Sequence, residues 1–325
     1  MKLFPFRRPS LGLSIEADTL ALAEVRRGWG RLSLRRCAER DLPDGLVRVT
    51  ATGPNVADVA ALSKEVSALL ADQKMSSRPV PIALSLPDLC GRVTLLEFDS
   101  LPQKPPEADA LIRWQFQRDM NLPGEELRFT CQTFRPPSVR GSGREPVRVL
   151  AAGIRDQVVE PYERACELAG ILPVSVGLAG LQLFDLYRPV IETALNTTRE
   201  CFYLYVEEGS FAFIAIRAGV PVFLRIKSLR NGNMNGNAAS HRLAVEEELL
   251  ATLHFYMEQE TVSSEGPVSA RPLFLINGEG HVPALPDSLG VTVVPIGWGD
   301  FRIAKQSATV PSCAGLPAFA GVMEM

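Results

Sequence analysis

Several specialised classes of protein are excluded by what this 325-residue sequence lacks. No apolar run approaches the roughly 20 residues of a transmembrane helix, and the most apolar stretch, residues 211–226, contains Arg217 and Arg225. The apolar stretch at residues 3–6 is too short for the core of a signal peptide. The six cysteines stand singly without a Cys-x-x-Cys pair, so neither a zinc site nor a small disulfide framework is indicated. We expect a protein of a reducing compartment that has no membrane span.

Neither sign of charge is in large excess. The chain has 34 Lys and Arg against 37 Asp and Glu, for a formal net charge of −3, which argues against an electrostatic nucleic-acid binder. The hydrophobic fraction of 46% is well above that of disordered chains. The first 50 residues are locally basic, with doublets at Arg26-Arg27 and Arg35-Arg36. We interpret these doublets as solvated strand ends; weak attraction to an anionic membrane surface is the alternative.

Hydrophobic periodicity predicts two similar units along the chain. The first reads as three short strands, a helix and a buried strand, in residues 11–15, 20–25, 32–34, 56–70 and 79–87. The second repeats this order in residues 202–206, 210–217, 220–226, 243–260 and 273–276. Between them the pattern predicts three further helices, over 107–120, 157–169 and 178–195, the last containing Pro189. It also predicts strands around Phe129 and over 147–152 and 171–176. A duplicated α/β architecture follows, although periodicity alone does not separate the actin-like fold from other mixed α/β folds.

Four segments resemble the PilM family of type IV pilus assembly proteins and, more distantly, the cell-division protein FtsA. They contain GLSIEADTLALAE at 12–24, ALIRWQF and NLPGEE within 101–126, AAGI and AGILP within 151–173, and EELLATLHFY and LINGEG within 247–280. Their order and spacing cover nearly the whole chain. The resemblance implies an actin-like (ribonuclease H-like) duplicated fold with a small inserted α+β domain. It places the first half at 1–90 with 176–197, the inserted domain at 91–175 and the second half at 198–325.

The resemblance also locates two phosphate-binding turns, and this chain departs from the family pattern in both. In the first turn the family Asp falls on Ser14, the Gly on Glu16 and a commonly basic position on Ala21. In the second turn the Asp falls on Tyr205 and the Gly on Glu207. A carboxylate about 4 Å from a phosphate charge repels it by roughly 4 kcal/mol at an effective dielectric near 20. We therefore predict negligible ATP hydrolysis, weak or absent nucleotide binding and no resident cofactor, with ATP and Mg²⁺ disfavoured.

Some residues of a degenerate nucleotide cleft remain. Asp18, Thr19 and Ser210 can still donate or coordinate, and Gly278 with Gly280 preserves part of the loop that contacts adenosine in the family. An isolated Gly-x-Gly is weak support, because an ordinary strand-to-helix turn has the same composition.

Other candidate sites are weaker. His241, His254 and His281 lack metal-ligand spacing, and no catalytic serine elbow, P-loop or His-Glu-x-x-His motif occurs, so we predict no metal site and no catalytic residue. The run at residues 246–248 is predicted to be the solvated face of a helix start. Trp114 and Phe116 are predicted to be core residues of the inserted domain; a place in a peptide groove is the alternative.

The resemblance implies a cytoplasmic scaffold of the type IV pilus assembly complex. In the family, PilM holds the cytoplasmic tail of the inner-membrane protein PilN, which implies a chain recruited to the inner face of the membrane and no nucleic-acid partner. The residues that bind the tail are not identified by the motifs. The alternatives are a nucleotide-responsive regulatory ATPase of pilus or type II secretion machinery and, least favoured, a small-molecule kinase. The type II counterpart usually carries its own transmembrane helix, so the pilus assignment leads.

Overall fold

A computed structural model of the chain describes residues 9–28, 31–75, 80–122, 126–135, 146–195, 198–207, 209–229, 238–260, 271–277, 281–300, 304–305 and 314–323. The strands are β1 (Leu11–Ile15), β2 (Thr19–Gly28), β3 (Arg31–Asp41), β4 (Val80–Leu86), β5 (Arg92–Phe98), β6 (Leu127–Phe134), β7 (Val147–Arg155), β8 (Ile171–Leu178), β9 (Glu200–Glu207), β10 (Ser210–Arg217), β11 (Val220–Ser228), β12 (Arg271–Asn277), β13 (Val291–Pro295) and β14 (Ala304–Lys305). The helices are α1 (Val59–Asp72), α2 (Pro105–Asp119), α3 (Asp156–Leu168), α4 (Ala179–Leu195), α5 (Ala238–Glu260) and α6 (Gly315–Met323).

Backbone contacts divide the chain into two compact units. The first comprises Met1–Gly91, Arg155–Arg188 and Gly297–Met325, and the second comprises Arg92–Ile154 and Pro189–Ile296. Within the described ranges, no helix combines the length and the apolar character that crossing a bilayer requires.

The first unit is built on a six-stranded sheet with the order β14-β3-β2-β1-β4-β8. Strand β1 pairs antiparallel with β2 and parallel with β4, so that Leu11 lies opposite both Glu24 and Ile82. All five residues of β1 are buried, as expected for a central strand that is covered on both faces. Helix α6 lies against β1, β2 and β4, while α3 lies against β8 and α1.

Helix α6 approaches the sheet so closely that one position of β1 tolerates only glycine. A Cβ atom added at Gly12 would lie 1.8 Å from the backbone oxygen of Ala318. Near the C-terminal end of the helix, the Arg27 guanidinium donates to the carbonyl oxygen of Val322 at 2.6 Å and also to that of Pro9 at 3.0 Å. A cation at the C-terminus of a helix complements its dipole. Helix α6 therefore packs on the first sheet, in a compact unit that includes residues 297–325, whereas the resemblance places these residues in the second half.

The second unit contains a five-stranded sheet with the order β11-β10-β9-β12-β13. Strands β9, β10 and β11 form the predicted antiparallel meander, and β12 runs parallel to β9. The core between this sheet and α5 is aromatic and aliphatic, with Phe202, Phe213, Val245, Leu249, Leu253 and Tyr256 among its buried members. The repeated meander, helix and strand of the two units confirm the predicted duplication.

A three-stranded sheet, ordered β5-β7-β6, forms the inserted segment together with α2. Its separate core includes Leu96, Ile112, Phe116 and Val149. The chain returns to the first unit at Arg155, whereas the resemblance places the end of the inserted domain at residue 175. The physical reason is that α3 contacts α1 and that β8 pairs with β4, which makes both part of the first unit.

Candidate functional site

The first candidate turn joins β1 to β2. The three positions that depart from the family pattern, Ser14, Glu16 and Ala21, lie in this turn or in the strands beside it. Ser14 lies opposite Ala21 on β2 and Ser85 on β4. Its side chain is buried, and its hydroxyl has no hydrogen-bond partner among the described residues. Ser14, next to the last residue of β1, therefore presents a buried hydroxyl in place of a carboxylate that could organise a metal ion.

The backbone of this turn is closed by its own hydrogen bonds. The N–H of Glu16 donates to the carbonyl oxygen of Thr19 at 2.9 Å, and the N–H of Leu42 donates to the carbonyl oxygen of Asp18 at 2.6 Å. The Thr19 hydroxyl donates to Asp18 Oδ1 at 2.9 Å, and this pair is exposed. Asp18 and Thr19, two residues of the predicted cleft, are adjacent in this turn, and the Thr19 hydroxyl proton is engaged by Asp18.

The second candidate turn, between β9 and β10, is closed by a buried pair of side chains. Ser210 Oγ donates to Glu207 Oε1 across 2.5 Å, and the exposed fractions of the two residues are only 1% and 8%. Tyr205 is buried in β9 beside Ile276 of β12. The predicted donor Ser210 is therefore occupied by Glu207, the carboxylate that stands where the family has glycine.

Gly209 completes the second turn with a φ of +77°, a conformation that glycine adopts without the cost that a Cβ atom imposes. Its N–H donates to His241 Nε2 at 3.4 Å, and its carbonyl oxygen accepts from the N–H of Leu229 at 2.7 Å. This arrangement requires a His241 tautomer with a lone pair on Nε2. Sequence reasoning considered His241 only as a metal ligand and missed this role, because no local pattern links residue 241 to residue 209.

The third element of the predicted cleft is only partly described. Gly278 and Gly280 lie outside the described residues. On either side of them, Asn277 Nδ2 donates to the carbonyl oxygen of His281 at 3.0 Å, and His281 Nε2 lies 3.0 Å from Glu246 Oε1 on α5. Glu246 also accepts from the N–H of Ala284 at 3.4 Å. A carboxylate of α5 therefore holds the segment that follows β12.

The acidic run at residues 246–248 lies in the interior of α5 (Ala238–Glu260), not at the predicted helix start. Glu246 contacts His281 and accepts from the N–H of Ala284. Glu248 forms ion pairs with Arg225, at 2.6 Å, and with Lys227. Glu247 is exposed, as predicted. The prediction of a solvated face is therefore wrong for two of the three glutamates. Among the described residues, no group of three or more His, Cys, Asp or Glu side chains is placed to hold a metal ion.

An ion-pair cluster lies at the opposite end of β9. Glu200 accepts from Tyr256 at 2.5 Å, from Arg217 at 2.9 Å and from Arg271 at 3.1 Å. Burial alone would raise the pKa of Glu200, but the hydrogen bonds from these three residues outweigh burial and lower it. The cluster joins β9, β10, β12 and α5, so we assign it a structural role.

The two aromatic residues of α2 have different environments. Phe116 is fully buried and contacts Phe129 at 5.1 Å between ring centroids, which confirms the core prediction. Trp114 is 54% exposed, so the core prediction is wrong for this residue. The signal was available in the sequence, because Ile112 and Phe116 are spaced i, i+4 and a residue midway between them points to the other side of a helix.

Among the described residues, four arginines of the first 50 positions have acidic or backbone partners, namely Arg27, Arg35, Arg36 and Arg40. Glu24 pairs with Arg35 at 3.0 Å and with Arg36 at 3.3 Å, and Arg40 pairs with Glu65 at 2.6 Å. Arg27 is bound to backbone oxygens, as described above. The interpretation of these residues as ordinary sheet positions is favoured over a membrane-attracting patch.

Comparisons with known proteins show the fold. No family model matches the chain, and no curated protein matches it. A structure described as the PilM-PilN type IV pilus biogenesis complex aligns with a TM-score of 0.69 at 22% sequence identity, over 98% of this chain and 97% of that chain. A Bacteroides thetaiotaomicron protein with an actin-like ATPase fold aligns at 0.44 with 10% identity, over 90% and 94%. The cytoplasmic domain of EpsL, from the type II secretion system of Vibrio cholerae, aligns at 0.44 with 9% identity, over 96% and 94%. The chain has the predicted actin-like α/β fold.

Proposed function

We propose that this chain is a non-catalytic scaffold of a type IV pilus assembly complex. The support is the TM-score of 0.69 with a chain of the PilM-PilN complex, with nearly complete coverage in both directions. The four sequence segments that resemble the PilM family support the same proposal. The scaffold binds the cytoplasmic tail of a PilN-like inner-membrane protein and is held by it at the inner face of the cytoplasmic membrane.

The closed state of the candidate turns is the observation that favours a scaffold over an ATPase. Phosphate sites in such turns depend on backbone and hydroxyl donors that point at the ligand. In this chain the N–H of Glu16 and the hydroxyls of Thr19 and Ser210 are all engaged within the protein. The buried Glu207 carboxylate adds repulsion of any phosphate brought to the second turn. We therefore assign no catalytic residue and no resident nucleotide, metal or other cofactor.

The same proposal includes a division into two actin-like halves and an inserted domain. We draw the inserted domain as Arg92–Ile154, because this segment contains the three-stranded sheet and its own core.

Calorimetric titration with Mg-ATP tests the non-catalytic part of the proposal. We expect no saturable heat up to about 1 mM ligand. A dissociation constant of about 1 mM corresponds to a binding free energy of only about 4 kcal/mol. A variant that combines Glu16→Gly and Glu207→Gly is the matched control, because it removes both carboxylates from the turns. Tight binding of Mg-ATP by the wild type, lost in Gly278→Asp, would overturn the scaffold assignment in favour of a regulatory ATPase.

Binding to a synthetic partner tail tests the scaffold role itself. The probe is the short cytoplasmic N-terminal segment of a PilN-like single-span membrane protein, labelled for fluorescence anisotropy. We expect saturable binding in the micromolar range and none to a scrambled peptide of the same composition. No detectable binding at high micromolar concentration would contradict the adapter role.

A further inference from the structure

Helix α6 has no polar face that could set its position on the first sheet. Its residues Gly315 to Val322 are all buried, and none of them has a polar side chain. Burial of apolar surface stabilises a helix without regard to direction. Directional contacts to the backbone of α6 therefore specify its register more sharply than its apolar contacts do.

Side chains of the first sheet contact two carbonyl oxygens of α6. Arg27 donates to that of Val322, near the C-terminal end of the helix. Near the N-terminal end, Oγ of the fully buried Ser85 on β4 lies 2.8 Å from the carbonyl oxygen of Pro317. A carbonyl oxygen has two lone pairs, so that of Pro317 can accept from Ser85 in addition to a hydrogen bond within the helix.

Ser85 has a second close neighbour, the side-chain amide of Gln182 on α4, which is 2% exposed. Gln182 Oε1 and the carbonyl oxygen of Pro317 both lie within hydrogen-bond distance of Ser85 Oγ. A serine hydroxyl has one proton, so it can donate to only one of these two oxygens. With Oε1 toward Ser85, the other contact would hold two buried oxygens together without a proton between them, which is unfavourable.

Rotation of the Gln182 amide by half a turn removes this conflict. Nε2 then donates to Ser85 Oγ, and the Ser85 proton is left for the carbonyl oxygen of Pro317. The oxygen and the nitrogen of an amide are nearly equal in size, so the rotation leaves the packing unchanged. A hydroxyl that accepts one hydrogen bond and donates another is polarised by the first, which strengthens the second.

Two glycines on different elements form the slot that holds this amide. A Cβ atom added at Gly177 of β8 would lie 2.6 Å from Gln182 Cδ and 2.2 Å from the amide atom that points away from Ser85. A Cβ atom added at Gly321 of α6 would lie 2.9 Å from Ser85 Oγ and 3.4 Å from the same amide atom. The slot therefore brings the Gln182 amide against both the sheet and α6.

We propose that Gln182, Ser85 and Pro317 form a hydrogen-bond relay that locks α6 to α4 through β4. Gln182 Nε2 donates to Ser85 Oγ, and Ser85 Oγ donates to the carbonyl oxygen of Pro317. The relay acts at one end of α6 and Arg27 at the other, so the two together fix the register of an otherwise apolar helix. Gln182 and Ser85 are thus positioning residues for α6. This inference lies within the first unit and is independent of the proposed pilus function.

Nuclear Overhauser effects test the orientation of the amide. The sample is the deuterated full chain with ¹⁵N-labelled glutamine side chains and protonated serine and glycine, and Gln182→Met identifies the signal by its loss. We expect cross-peaks between the Nε2 protons of Gln182 and the β protons of Ser85. Cross-peaks from the Nε2 protons to the α protons of Gly177, in place of those to Ser85, would overturn the relay.

Hydrogen exchange measured by mass spectrometry tests the effect on α6. Ser85→Ala removes both bonds of the relay, and we expect the amides of residues 319–322 to exchange about tenfold faster. Gln182→Met keeps the side-chain length and removes only the first bond, so a smaller increase is expected. The opposite amide orientation predicts the reverse for Gln182→Met, because the Ser85 proton would then be released to Pro317. Unchanged or slower exchange of α6 in Gln182→Met would therefore contradict the proposal.

Two matched substitutions in the same unit serve as controls. Ser63→Ala makes the same change at another buried serine, on α1. Gln157→Met makes the same change at an exposed glutamine of α3, which donates to the carbonyl oxygen of Thr52 at 3.1 Å. Neither residue has a recorded hydrogen bond to α6, so both variants should leave the exchange of residues 319–322 unchanged.

The amides of α1 are the internal reference for each variant. Faster exchange of α6 than of α1 in Ser85→Ala is the expected result, because the relay acts on α6 locally. Equal acceleration of α1 and α6 would show that the substitution destabilises the whole unit, and it would overturn the assignment of the relay to α6. Loss or retention of partner-tail binding does not enter this test, so the proposed function and the relay fail separately.

Discussion

The hydroxyl of Ser210 donates to the carboxylate of Glu207 across the turn between β9 and β10, with 2.5 Å between the two oxygens and both side chains buried. A hydrogen bond to a charged acceptor is stronger than one between neutral groups, and burial strengthens it further. The sequence analysis treats Ser210 as a possible donor to a phosphate and Glu207 as a carboxylate that repels one. In the folded protein the two residues form a single hydrogen-bonded pair. This pair leaves the second turn without a free hydroxyl for a phosphate.

We predict that Ser210 and Glu207 are strongly coupled in stability. Ser210→Ala should cost about 2 kcal/mol, because it removes a hydrogen bond to a buried carboxylate. Glu207→Ala should be destabilising too, since it leaves the buried hydroxyl unpaired, and the double variant should cost clearly less than the sum. Urea unfolding measures all three. Thr19→Val, which removes an exposed hydrogen bond, is the control and should change stability by less than about 0.5 kcal/mol; additive effects at 207 and 210 would contradict the prediction.

A second prediction concerns the approach of α6 to β1. Gly12→Ala places a Cβ atom 1.8 Å from the carbonyl oxygen of Ala318, so the backbone of α6 must move. We expect a loss of about 3 kcal/mol, at the upper end of the range for overpacking. Gly53→Ala is a matched control in the same unit, because an added Cβ there meets nothing within 4 Å. Thermal or urea unfolding should place Gly53→Ala within about 0.5 kcal/mol of the wild type, and an equal loss in both variants would contradict the argument.

The Glu200 cluster predicts a specific pH dependence. Tyr256, Arg217 and Arg271 lower the pKa of Glu200 below its ordinary value of 4.5, despite burial. A carboxyl group whose pKa is lowered on folding stabilises the protein above its unfolded pKa, and this contribution is lost as the pH falls through the folded pKa. The stability difference between the wild type and Glu200→Gln should thus be largest near neutral pH and shrink below pH 4.5.

Urea unfolding at a series of pH values measures this difference. Glu97→Gln serves as the control, because Glu97 forms a more exposed pair with Arg148 at 2.7 Å, and such surface pairs contribute about 0–1 kcal/mol. A difference between the wild type and Glu200→Gln that stays constant down to acid pH would show that the charge of Glu200 contributes nothing.

A fourth prediction concerns the thiols. Burial is the main cause that raises the pKa of Cys37, Cys166 and Cys201 from 9.0 to about 12. Because the thiolate is the reactive form, these cysteines should resist iodoacetamide at pH 8 in the folded protein and react readily in denaturant. Mass spectrometry after labelling gives the extent at each site. Cys131, like Cys37, is only partly buried, so these two should react faster than the buried Cys166 and Cys201; equal labelling of all four in the folded state would contradict the burial.

The elements with a clear periodicity were predictable from the sequence. Strands β1 and β9 to β12, together with helices α1 and α5, lie where alternation or helical spacing places them. Helix α6 was not predicted, because its residues Leu316 to Val322 are buried on all sides and leave no polar face to reveal a helical period. Strands β5 and β13 were also missed. The division into two halves and an inserted domain stays a prediction, and the sequence does not show that α3, β8 and α6 join the first sheet.

The candidate site was predictable in position but not in its hydrogen bonds. The motif comparison located Glu16, Glu207 and Ser210, and the structure places the last two in one turn. The partners of that turn, His241 and Leu229, come from residues 20 or more positions away, and no local pattern encodes such contacts. The prediction for Gly278 and Gly280 is not tested, because these residues lie outside the described ranges.

The sequence by itself determined the class of fold and the chemical character of the two turns. Both follow from local properties, namely which residues alternate in hydrophobicity and which side chains replace glycine and aspartate. Only the tertiary structure decided that Ser210 is paired with Glu207, that α6 seals β1 over Gly12, and that Trp114 faces solvent while Phe116 fills the core. The reason is physical: whether a donor is free or an aromatic ring is buried depends on atoms from distant segments, and folding alone brings those atoms together.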